Sequence, residues 1–121
     1  MPEILVIDDD EFMLSTLQEV LVDAGFSVTT TADGPQGIEL YARVKPAAVV
    51  LDLGLPSMDG LQVLKRIREL DADAKVLVVT GYPSEAAALT ARSMGANNFL
   101  PKPFDANQLV EKLHAVLHAS S

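Results

Sequence analysis

At 121 residues, 49% of them apolar and none cysteine, the chain suits one packed domain held by its core, without disulfides or thiolate chemistry. No apolar run approaches the roughly 20 residues of a membrane span, and the start at Met1, Pro2 and Glu3 lacks the basic region of a secretory leader, so a cytoplasmic location is expected. The net charge of −8 disfavours binding to a nucleic-acid backbone, and it is unevenly placed: residues 1–60 hold eleven acidic side chains against two basic, residues 61–121 six against seven.

The first apolar run, Ile4 to Ile7, is continuous rather than alternating and reads as a strand buried on both faces. Three aspartates, Asp8, Asp9 and Asp10, follow it directly. Leu14, Leu17 and Leu21 then recur at helical spacing, and Gly25 stands where a helix-ending glycine belongs. Val28 to Thr31 reads as a second strand, Gly34 to Val44 as a weaker helix, and Ala47 to Leu51 as a third strand running into Asp52. Leu61, Leu64 and Ile67 mark the next helix, and Val76 to Val79 the next strand, ending at Thr80 and Gly81. Ser84 to Met94 is another weak helix, closed by Gly95. Phe99 and Leu100 form a short fifth strand with Lys102 just beyond it, and Leu109, Leu113, Val116 and Leu117 stripe a final helix.

Strand and helix thus alternate five times. The pattern predicts one α/β domain over residues 1–121, a doubly wound (βα)5 three-layer sandwich with short, right-handed connections. In such sheets ligands bind beyond the carboxyl ends of the strands, near the point where strand order reverses. That edge is where the chemically suggestive residues fall. Asp8, Asp9 and Asp10 end the first strand and Asp52 the third, so several carboxylates converge if those strands are neighbours. Left alone they would repel one another, and such a cluster signals a bound cation or a shared proton. Oxygen-only ligands point to magnesium or manganese. For Asp10 and Glu11 the preferred reading is the plainer one, capping of the helix that follows. A carboxylate can also act as a nucleophile toward phosphorus, a transfer that needs alignment and charge neutralisation. Thr80 offers a hydroxyl at the same edge, Gly81 leaves room beside it, and the Lys102 ammonium could balance developing negative charge.

Four separated stretches, ILVIDDD (residues 4–10), VLDLGLPSMDG (50–60), VVTG (78–81) and LPKPF (100–104), resemble in order and spacing the receiver domains of two-component response regulators, and the resemblance covers essentially the whole chain. It implies a flavodoxin-like parallel sheet in order 2-1-3-4-5, the order that a member of this family illustrates. It also implies that Asp52 is the phosphoacceptor, taking a phosphoryl group from a phosphohistidine on a sensor kinase or histidine phosphotransfer protein. Asp9 and Asp52 would bind Mg2+ directly (Mn2+ as a substitute), with the Gly54 carbonyl as a further ligand and Asp8 acting through water. Lys102 and Thr80 would hold the phosphoryl oxygens, and a cis bond before Pro103 would aim the lysine. Thr80 and Phe99 would be the switch residues, Gly54 and Tyr82 would flank the path of attacking water, and the helix after Asp10 would meet the kinase. The surface from Ser84 to His118 would report to a downstream effector, from a monomer or a phosphorylation-dependent dimer, with no direct contact to nucleic acid or membrane. No separate substrate turnover is implied.

Other readings remain open. Asp8 and Asp10 after a first strand also resemble the nucleophile motif of haloacid-dehalogenase-type phosphatases, although Phe12 stands where that family has Thr or Val. A flavodoxin-like cofactor carrier shares the layers, but three aspartates in its first loop would repel an anionic cofactor. A degenerate receiver would keep the fold without the switch, against the presence of every phosphorylation residue.

Overall fold

The computed structural model describes residues 2–53, 60–81 and 85–118. Its elements in chain order are β1 (Glu3–Ile7), α1 (Glu11–Asp23), β2 (Ser27–Thr31), α2 (Gly34–Val44), β3 (Ala48–Asp52), α3 (Gly60–Leu70), β4 (Val76–Thr80), α4 (Glu85–Ser93), β5 (Asn98–Pro101) and α5 (Ala106–Leu117). The strands form one parallel sheet in the order β2-β1-β3-β4-β5. The chain therefore leaves β1 for the β2 edge and returns past it to β3, so the reversal of strand order lies between β1 and β3.

Local chemistry sets the helix boundaries. Asp10, Asp33 and Asp105 occupy extended N-cap positions and accept hydrogen bonds from the first free backbone N–H groups of α1, α2 and α5. At Asp105 the cap is reciprocal, because Gln108 also accepts from the Asp105 N–H at 2.9 Å. Gly25 and Gly95, with φ of 97° and 108°, reverse the chain after α1 and α4 in a region that side-chain-bearing residues avoid.

Every residue of β3 and β4 is buried, and so are residues 4–7 of β1, which is why their sequences are apolar up to Asp52 and Thr80 at the carboxyl ends of β3 and β4. The edge strands β2 and β5 are only partly buried and correspondingly mixed in sequence. Successive side chains alternate between two cores. Ile4, Val6, Ala48, Val50, Leu77, Val79 and Leu100 pack with Leu17 and Leu21 of α1 and Leu109 and Leu113 of α5. Leu5, Ile7, Val49, Leu51, Val76 and Val78 pack with Tyr41 of α2, Leu64 of α3 and Ala91 of α4. The sheet is thus the middle of three layers, with α1 and α5 on one side and α2, α3 and α4 on the other. Among the described residues no helix is long and apolar enough to cross a membrane.

Candidate functional site

Strand register brings the carboxylates together. Ile7 pairs with Leu51 across β1 and β3, which sets Asp8 level with Asp52 at the carboxyl edge of adjacent strands. Asp52 in turn pairs with Val79, and Thr80 with Pro101, so Thr80 and Lys102 stand at the same edge one and two strands further on. Alternation adds a second constraint: Asp8, Asp52 and Lys102 continue the rows of Ile4 and Val6, Ala48 and Val50, and Leu100, all of which face α1 and α5. Three residues distant in sequence therefore arrive on one side of one sheet edge.

The resulting cluster is largely hidden from water. Asp8 is 0% exposed, Asp52 6% and Thr80 2%, while Asp9 is open to solvent. One oxygen each from Asp8, Asp9 and Asp52 lies within 4.8 Å of the other two. Burying like charges at this spacing is unfavourable unless a cation sits among them. Lys102 supplies one such charge: its Nζ donates to Asp8 Oδ2 at 3.0 Å and stands 3.5 Å from Asp52 Oδ2. Burial pulls the Lys102 ammonium toward a lower pKa, but the hydrogen bond and charge of Asp8, with the charge of Asp52 behind them, outweigh it and leave the pKa raised. The other Asp8 oxygen, Oδ1, accepts from the Asp10 backbone N–H at 3.0 Å, and the Asp8 N–H donates to the Thr31 carbonyl at 3.1 Å, which fixes the end of β1. The Lys102 N–H donates to the Thr80 carbonyl at 2.7 Å, anchoring the lysine to β4. The Lys102–Pro103 peptide bond is cis.

The three carboxylates carry a formal charge of −3 against one ammonium, and their donor atoms are all oxygen. Both features fit a small hard divalent ion such as Mg2+. Gly54 and Tyr82 lie outside the described residues. Phe99 is half-buried against the core shared with α4. Asp10 stands apart from the cluster in function: its Oδ1 accepts from the N–H groups of Phe12 at 3.0 Å and Met13 at 3.3 Å, as a helix cap does. This is the capping role preferred for Asp10 from the sequence.

Two features escaped the sequence reading. Lys102 is already paired with Asp8 in the resting molecule, and nothing in a linear string reveals a contact across 94 positions. Gly60 is the other. The first residue of α3 approaches the backbone carrying Asp52 so closely that a Cβ there would lie 2.4 Å from Leu53 Cα and 2.6 Å from the Asp52 carbonyl oxygen.

A family model described as the response regulator receiver domain matches residues 4–114. The response regulator MprA of Mycobacterium sp. (strain KMS) is 36% identical over 118 residues, which cover 98% of this chain and 51% of that protein. The chain thus spans about half the length of the first curated relatives it matches. The chemotaxis protein CheY of Bacillus subtilis (strain 168) is 34% identical over 116 residues, 95% of this chain and 97% of that one. Among solved structures, a CheY-like receiver domain protein of Methanospirillum hungatei JF-1 superposes with a TM-score of 0.92 at 27% identity, covering 97% of this chain and 94% of its own. A response regulator protein from Burkholderia pseudomallei with a phosphorylated aspartic acid, calcium ion and citrate superposes with a TM-score of 0.86 at 34% identity, covering 98% and 68%.

Proposed function

The chain belongs to the response regulator receiver domain family, and on that footing we propose that Asp52 is its phosphoacceptor, charged by a phosphohistidine on a sensor kinase or histidine phosphotransfer protein. The family is a signalling domain rather than a substrate-turnover enzyme. The observation that carries the assignment to Asp52 is its place in the cluster: a buried carboxylate at the sheet edge, 3.5 Å from a lysine ammonium and grouped with Asp8 and Asp9.

In this reading an Asp52 carboxylate oxygen attacks the phosphorus, the phosphorus–nitrogen bond breaks, and the imidazole leaves with the electron pair. Lys102 and the Thr80 hydroxyl hold the phosphoryl oxygens as their charge redistributes. Asp8, Asp9 and Asp52 would hold Mg2+, with Gly54 as a further ligand through its carbonyl. When bound, the ion supplies charge neutralisation between the carboxylates and the incoming phosphoryl group. The Burkholderia relative, with its phosphorylated aspartic acid and calcium ion, supports both halves of this reading. Phe12 on α1, 79% exposed beside the aspartates, offers the delivering partner an apolar contact.

Phosphorylation then acts as a two-state bias. Thr80 moves toward the phosphoryl group, the half-buried Phe99 follows inward, and the surface of α4, β5 and α5 changes its affinity for a downstream effector. Packing alone sets the position of Phe99, since it lacks the hydroxyl a tyrosine would bring. We place the protein in the cytoplasm, where such relays operate.

Acetyl phosphate with Mg2+ tests the assignment by intact-mass spectrometry. The wild type should gain one phosphoryl group and Asp52→Ala none, with circular dichroism confirming that the variant is folded. A stable adduct on folded Asp52→Ala would overturn the assignment.

A further inference from the structure

The chain has two histidines, His114 and His118, and both fall at the end of α5, where positions four apart share one helix face. Both are exposed. Their rings lie 3° from parallel with centroids 6.1 Å apart, and His114 also leans on the buried ring of Phe26 at 5.7 Å and 47°. Phe26 immediately precedes β2, and α5 runs back along the sheet from Lys102, so the pair sits at the opposite end of the strands from the aspartates.

We propose that His114 and His118 form a chelating site for a divalent transition ion of the imidazole-preferring class, Cu2+, Ni2+ or Zn2+. Each imidazole offers one ring nitrogen and keeps its proton on the other. Ligand nitrogens stand about 2.0–2.1 Å from such an ion, which puts the two ring centroids about 5 Å apart. Because the ligating lone pair lies in the ring plane, the parallel rings must turn until two nitrogens converge and must close by about 1 Å, changes that side-chain rotation of an exposed residue supplies. Phe26 holds His114 in place, and His118, at the helix cap, provides the adjustment. Among the described residues no carboxylate joins the pair in a three-ligand cluster.

Nitrogen donors separate this site chemically from the aspartates. Mg2+ keeps oxygen ligands and holds its waters, whereas Cu2+ and Ni2+ favour imidazole. A chelate across one turn also selects the helical form of residues 114–118, so the ion stabilises the end of α5 by mass action.

The test is titration of the tag-free protein with Ni2+ in millimolar Mg2+, which occupies the carboxylate site, followed by calorimetry. The wild type should bind one Ni2+ per chain. His114→Gln and His118→Gln should each bind about a hundredfold more weakly, since either loss turns a two-armed site into a one-armed one, and the double variant should do no better. Paramagnetic broadening by Ni2+ should concentrate on residues 114–118 and the Phe26 ring. A single variant that keeps wild-type affinity, or a wild type that takes up no Ni2+ once Mg2+ is present, would overturn the proposal; both side chains are exposed, and a thermal melt confirms that each variant is folded.

Discussion

Replacing Gly60 with alanine adds one methyl group at the point where α3 meets the end of β3. The new Cβ would lie 2.4 Å from Leu53 Cα, 2.6 Å from the Asp52 carbonyl oxygen and 2.9 Å from the Leu53 carbonyl carbon. Comfortable carbon contacts are about 3.5–4.0 Å, so the overlap with Leu53 Cα exceeds about 1 Å. All three partners are backbone atoms, which cannot turn aside as a side-chain tip can. Overpacking costs about 1–3 kcal/mol, and with no flexible neighbour to give way we place Gly60→Ala near the top, at about 3 kcal/mol. For a domain of this size each kcal/mol lowers Tm by about 4 °C, which gives a fall of about 12 °C by circular dichroism. Gly81→Ala is the matched control, because among the described residues a Cβ there would meet no atom within 4 Å. It should melt within about 2 °C of wild type, as a surface substitution does. The relief in Gly60→Ala must move the peptide that bears Asp52, so phosphorylation by acetyl phosphate should slow in that variant as well. If Gly60→Ala melted like the wild type, the close approach of α3 to β3 would not be what demands glycine.

Lys102→Met removes the cation paired with Asp8 at 3.0 Å and, allowing for the lysine's partial exposure, should cost about 1–2 kcal/mol at neutral pH by urea unfolding. Because Lys102 has a raised pKa when folded, its contribution is complete below the ordinary lysine value of 10.5 and is lost as pH climbs beyond it, so wild type should weaken in that window more steeply than the variant; parallel profiles would refute the coupling. Tyr41→Phe deletes a phenol that donates to Asp71 Oδ2 at 2.8 Å and should cost about 0.5–1.5 kcal/mol. The Asp71 carboxyl is held low first by the Asp73 N–H and then by Tyr41, so an NMR titration should find it moved part of the way back up in the variant, and the stability the pair adds should fade as pH falls through the carboxylate range. Asp10→Ala should lose about 1 kcal/mol of helix capping while leaving Mg2+ affinity unchanged by calorimetry, whereas Asp9→Ala should weaken Mg2+ binding with little effect on stability; the reverse pattern would exchange their roles.

The legible parts of the fold are those where burial is complete. Ile4 to Ile7, Ala48 to Leu51 (expected from Ala47) and Val76 to Val79 face helices on both sides and read as strands from composition alone, because no position in these runs can be polar. The edge strands are bounded as closely as the central ones, each end within one residue of its expected place, but they carry more polar residues: β2 is half-buried over most of its length and holds threonines, and β5 adds Asn98 and Pro101 to its apolar pair. Long-range contacts had no local signature. The Lys102 to Asp8 pair and the approach of Gly60 to Leu53 arise only when separate segments meet, and neither leaves a periodic trace.

The same parity that makes the core explains why the site could be anticipated without knowing those contacts. Ile4 and Val6, Ala48 and Val50, and Leu100 must all face α1 and α5 to be buried, and the next residues in those rows are Asp8, Asp52 and Lys102. A slip of one residue in β3 would expose Val50 to the other face and carry Asp52 with it, away from Asp8 and Lys102. The apolar rows therefore impose the register on which the charged cluster depends, and because those rows are buried side chains, the cluster is held as firmly as the core itself.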